Sequence, residues 1–83
     1  MELLVLPAAQ KGFRPIPKHD AEALLAKIAQ FAADPTGQHG WAKAFTATEG
    51  RIRHGDWRAL YTIDAENKTV TIVTVRHRRE AYR

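Results

Sequence analysis

Apolar and polar positions along the chain fall into short runs of different period. Glu2 to Leu6 is an almost continuous apolar run halted at Pro7, which predicts a strand buried on both faces and interior to a sheet. Residues 8–14 have room for a short helix, weakened by Gly12 and stopped by Pro15 and Pro17. From Lys18 to Ala33 the apolar positions Ala21, Leu24, Leu25, Ile28, Phe31 and Ala32 repeat at helical spacing, and Pro35 closes the segment, so a helix is expected there. Residues 34–42 concentrate glycine, proline and polar side chains and read as a loop. Strands are then expected at Ala44–Thr48, Arg51–His54, Trp57–Ile63 and Thr69–Val75, with a Gly55-Asp56 turn and a loop at Asp64–Lys68. The last two strands should form an antiparallel hairpin. A strand, then helices, then a run of strands predicts an α+β fold: an N-terminal strand and two helices packed on one face of a mostly antiparallel twisted sheet. The other face is left for chemistry.

Size and composition narrow the classes of function. At 83 residues the expectation is a single domain, residues 1–83, able to bury only roughly 60% of its unfolded surface. The absence of cysteine excludes disulfides, thiolate metal sites and thiol redox chemistry, and fits a cytoplasmic protein. Met1 to Leu6 is too short to span a bilayer and lacks a basic leader, so no membrane association is expected. His19, His39, His54 and His77 fall at no recognised ligand spacing; neither a metal nor a small-molecule cofactor is expected.

Charge changes the picture most. Residues 1–50 carry five basic and five acidic side chains, so the whole formal excess of +4 lies in residues 51–83. Those basic residues are nearly all arginine, interleaved with His, Trp and Tyr, a mixture suited to gripping phosphates and stacking on bases. Arg51 and Arg53, two apart on a strand, share a face, and Arg58 follows a tight turn and can lie across from them. Arg78 and Tyr82 join the group if the C-terminal residues leave the neighbouring strand at the same end. Arg76, Arg79, Arg83, His54 and His77 are further candidate RNA contacts. A solvated strand face is the plain alternative, but like charges are costly to gather without an anionic partner. Trp57 and Tyr61 share strand parity with Ala59 and Ile63 and are expected to pack the sheet, while Trp41 could anchor its loop or touch a partner.

The segment Arg51-Ile52-Arg53-His54-Gly55-Asp56-Trp57-Arg58-Ala59-Leu60-Tyr61, with the terminal His77-Arg78-Arg79-Glu80-Ala81-Tyr82-Arg83, resembles the RelE/ParE superfamily of type II toxins, in its RelE branch. The resemblance runs nearly end to end. It implies a ribosome-dependent endoribonuclease that cuts mRNA in the A site and is held silent by a cognate antitoxin. Carried over by position, it implies an active site of Arg51, Arg53, Arg58, Arg78 and Tyr82. The implied reaction is attack of a ribose 2′-hydroxyl on its adjacent phosphate, leaving a 2′,3′-cyclic phosphate and a 5′-hydroxyl. Arg51 and Arg58 would clamp the phosphate, Arg78 would stabilise or protonate the leaving oxygen, and Tyr82 would orient or stack on a base. An arginine gives up no proton in a protein, so Arg53 would act electrostatically and the base would be His54, His77 or a ribosomal group. The same superfamily includes a ParE branch that poisons DNA gyrase. A non-catalytic RNA-binding relative is a further alternative.

Overall fold

The computed structural model describes residues 1–81. The element order is β1 (Glu2–Val5), α1 (Pro7–Phe13), α2 (Lys18–Ala33), β2 (Ala42–Ala44), β3 (Glu49–His54), β4 (Trp57–Asp64), β5 (Thr69–His77) and α3 (Arg78–Ala81). The five strands form one sheet in the order β1-β5-β4-β3-β2, parallel only between β1 and β5. Helices α1 and α2 cover one face, α1 against β5 and α2 against β3 and β1. This is the expected α+β architecture.

Local chemistry explains most boundaries. Pro7 occupies the first turn of α1, where its missing N–H is no loss. Helix α2 spans the residues its apolar spacing predicts, between Pro17 and Asp34-Pro35, and buries Leu24, Ile28, Phe31 and Ala32. Leu25, on the flank of that stripe, stays exposed. A two-residue turn joins His54 to its partner Trp57, with Gly55 at a φ of 57° that favours glycine. Gly12 is required by packing: a Cβ there would collide with the carbonyl oxygen of Val75, so the glycine lets α1 close onto β5.

Two expectations need correction. The first strand is an edge rather than an interior strand: β1 pairs only with β5, and Leu3 and Leu4 remain exposed. Its continuous apolar run has the composition of a doubly buried strand, but helix α2 shields only part of one side of it. The strand expected at Ala44–Thr48 lies instead at Ala42–Ala44, with residues 45–48 in bends and Thr46 Oγ1 accepting from the N–H groups of Thr48 and Glu49. That local side-chain capping competes with strand pairing.

The core is a contiguous set in which Ile52, Ala59, Tyr61, Val70, Ile72 and Val75 from the sheet meet Ala9, Leu24, Ile28 and Phe31 from the helices. One irregularity redirects the end of β5. Leu60 pairs with Thr74 but Tyr61 pairs with Ile72, leaving Val73 as a bulge in that strand. Side-chain alternation is thereby reset within it, so Val70, Ile72 and Val75 all reach the core.

Candidate functional site

The face of the sheet away from α1 and α2 carries the basic residues. Register places Arg53 opposite Arg58 and Arg58 opposite Arg76, so three arginines from three adjacent strands form one row. Directly opposed residues share a face of the sheet. Two residues back along β3, Arg51 pairs with Leu60 on one side and Lys43 on the other, adding a second basic row beside the first. Among the described residues, none of Arg51, Arg53, Arg58 and Arg76 forms an ion pair with a carboxylate. Farther along the same face the surface turns apolar around Phe45, Leu60 and Val73.

Arg58 is the centre of the row and differs from its neighbours. It is only 8% exposed, whereas Arg53 and Arg76 are exposed. Its Nη1 donates to the carbonyls of Gly55 (2.7 Å) and Trp57 (3.2 Å), which pins one side of the guanidinium against the turn. Its buried Nε finds no acceptor among the described residues. A desolvated cation with an unused donor is costly unless an anion meets it.

Arg78 lies at the same end. Its backbone N–H donates to the Asp56 carbonyl (2.6 Å) and its Nη1 sits 3.6 Å from Asp56 Oδ1, so the turn between β3 and β4 fixes the start of α3. Arg79 is exposed, its N–H donating to His77 Nδ1 at 3.3 Å. Tyr82 and Arg83 lie outside the described residues.

Both histidines go elsewhere. His54, Trp57 and His77 form the row next to the arginines, but on the helix-covered face. His54 Nε2 lies 3.2 Å from Asp20 Oδ1 on α2, and its Nδ1 lies 3.2 Å from Lys27 Nζ. A lysine ammonium can only donate, so Nδ1 accepts and Nε2 carries the proton toward Asp20. His77 meets Trp57 edge-on at 5.2 Å and lies 3.9 Å from Asp56. Neither imidazole shares the arginine face, and the reading of His54 and His77 as RNA contacts is not retained. The strand parity of His54, opposite to that of Arg53, is the signal that sequence reasoning passed over; the face of His77 is set by the bulge at Val73. Lys27 is the residue it missed: besides His54 it reaches the carbonyl of Arg53 (3.3 Å), tying α2 to the strand that bears the basic pair.

On the covered side, Phe31, His39 and Tyr61 line a cavity of about 510 Å³ beside β2. Burial raises the pKa of the Tyr61 phenol above its ordinary value. No group of three or more His, Cys, Asp or Glu among the described residues is arranged to hold a metal ion, and no described helix is long and apolar enough to cross a membrane.

The sequence model of the family described as "ParE toxin of type II toxin-antitoxin system, parDE" matches residues 3–82. The chain belongs to this toxin family. It is thus a toxin of the RelE/ParE superfamily, and its fold is shared by solved members. A chain of the RelBE2 toxin–antitoxin complex from Mycobacterium tuberculosis is 25% identical, with a TM-score of 0.75 over 93% of this toxin and 96% of that chain. A chain of the archaeal RelE–RelB complex from Pyrococcus horikoshii is 18% identical, with a TM-score of 0.76 over 95% and 96%. An arginine-to-alanine double mutant of Escherichia coli toxin RelE in the free state is 19% identical, with a TM-score of 0.76 over 98% and 85%. No curated protein matches the toxin's sequence.

Proposed function

We propose that this toxin is an endoribonuclease that cleaves mRNA in the ribosomal A site and is neutralised by a cognate antitoxin. The observation that carries the reading is the Arg53–Arg58–Arg76 row, with Arg58 pinned at its centre and its Nε without an acceptor among the described residues. Attack of a 2′-hydroxyl on its neighbouring phosphate passes through a dianionic phosphorane. A preorganised donor aimed at such charge is worth roughly a hundred- to a thousandfold in rate. Arg58 and Arg51 hold the phosphate, Arg53 adds positive potential, and Arg78 stabilises the leaving oxygen. Tyr82 acts on a base. With both histidines engaged on the other face, the proton of the 2′-hydroxyl passes to a group supplied by the ribosome. Substrate positioning also belongs to the ribosome, since the arginine face is open rather than a closed pocket.

The antitoxin of this reading presents an acidic segment to the arginine rows, and its apolar side chains meet the Phe45, Leu60 and Val73 surface. Membership of a family described by its ParE toxins favours a second reading, a gyrase poison of the ParE type. The decisive experiment incubates the purified toxin with ribosomes programmed with a defined mRNA and maps the RNA ends, beside a gyrase supercoiling assay. Cleavage at the A-site codon that needs both the ribosome and Arg78 supports the nuclease. Intact RNA together with inhibited supercoiling replaces it with the gyrase reading.

A further inference from the structure

Just before β2 begins, the Arg53 N–H donates to the carbonyl of Trp41 (2.8 Å), continuing the β2–β3 register one residue beyond the Ala42–Ile52 pair. There a cleft of about 380 Å³ is bounded by Lys27, Gly40, Trp41, Arg53 and Gly55. That volume falls in the range of ~300–1,000 Å³ usual for small-ligand sites. Its walls supply two cations and one indole.

The indole is held in place. Its ring stacks on His39 at 4.7 Å with 25° between planes, and His39 Nε2 lies 2.8 Å from the Asp34 carbonyl. Lys27 has three ammonium protons, of which two are directed at the Arg53 carbonyl and His54 Nδ1, leaving one for a ligand. Gly40 is informative because neither packing nor backbone demands it. A Cβ there would meet nothing within 4 Å, and its φ is not in the left-handed region. The missing side chain keeps the cleft open beside Trp41.

We propose that this cleft binds one nucleotide, its base against the Trp41 indole and its phosphate on Lys27 and Arg53. The inference rests on the reading of the toxin as an RNA-binding protein and extends the contact from the arginine face around the edge of β3. Messenger and ribosomal RNA both present this chemistry.

The test is an NMR titration of the free toxin with a nucleoside 5′-monophosphate, with the nucleoside alone and with inorganic phosphate, following the Trp41 indole N–H. The monophosphate is expected to shift that signal at the lowest concentration of the three. Trp41→Leu should weaken binding roughly ten- to a hundredfold, Trp41→Phe should recover part of the loss, and Gly40→Leu should block the cleft while leaving the spectrum of the fold intact. A monophosphate that moves only the Arg51 and Arg58 amides, or an equal response to phosphate alone, overturns the proposal. No ribosome or cleavage enters this measurement. A toxin that cuts nothing yet binds at Trp41 loses the nuclease reading and keeps the cleft, and one that cuts while Trp41 stays silent does the reverse. Photocrosslinking of the bound toxin on two sets of ribosomes, one carrying 4-thiouridine in the mRNA and the other in the ribosomal RNA, then assigns the source: a crosslink to the Trp41 peptide in the first set identifies messenger, and one found only in the second identifies ribosomal RNA.

Discussion

The two faces of the β3–β4–β5 sheet are built from alternate residues of the same strands, and they obey opposite rules. On the covered face Ile52, Ala59 and Val75 stand in one row and are all buried. One residue along, Arg53, Arg58 and Arg76 stand in a row on the open face, with no carboxylate partner among the described residues. The first row lowers the free energy of the folded chain by removing apolar surface from water. The second raises it through self-repulsion and a desolvated guanidinium. Stability and chemistry are separated by the thickness of one sheet, and each can be altered with limited effect on the other.

The severest way to break that separation is to exchange Val75 and Arg76. The exchange drives a guanidinium toward the helices and a valine into water. An unpaired buried charge costs about 3–5 kcal/mol, so little folded toxin is expected by circular dichroism, whereas Val73→Ala, which leaves both rows in place, should fold. Ile72→Ala on the covered face should cost about 2–5 kcal/mol in urea unfolding, with A-site cleavage per folded molecule unchanged. Arg53→Ala on the open face should show the converse, with RNA cleavage down roughly a hundred- to a thousandfold and the unfolding midpoint held or raised. Equal loss of stability in the Arg53 and Ile72 variants would erase the distinction between the faces. Gly12→Ala, which forces α1 off Val75, should cost about 1–3 kcal/mol and leave the arginine row active.

The smallest effect concerns Tyr61. Burial raises its pKa, so the folded state holds the phenolic proton more tightly than the unfolded chain does. Its contribution is fully present below the unfolded value of about 10 and is lost as pH rises through the folded value. Thermal melts taken upward from about pH 9 should therefore fall more steeply for the native toxin than for Tyr61→Phe.

Much of this arrangement was legible from residue spacing. Helix α2 is bounded by prolines and carries a clean apolar stripe, and the two-residue separation of Arg51 and Arg53 put them on one face. The order of strands was not legible, because an apolar run such as Leu3 to Leu6 reads the same at an edge as in the middle. The position of Arg76 was hidden for a different reason. Strict alternation from Ile72 would send it to the covered face, and only the pairing register reveals the bulge that turns it outward. The burial of Arg58 depends on how the chain folds around the Gly55 turn, which no local pattern encodes.

The parallel pairing of β1 with β5 has a consequence in time. Glu2 finds its sheet partner at Thr69, so during synthesis the first strand waits until the fifth has been made. At ~5–20 residues per second the wait is about 3–13 seconds, with Leu3 and Leu4 lacking their strand partner throughout. Arg76 arrives on that same late strand. The nascent chain therefore cannot assemble its arginine row before the sheet closes, and a cell making this toxin is given a short interval in which the polypeptide exists and the poison does not.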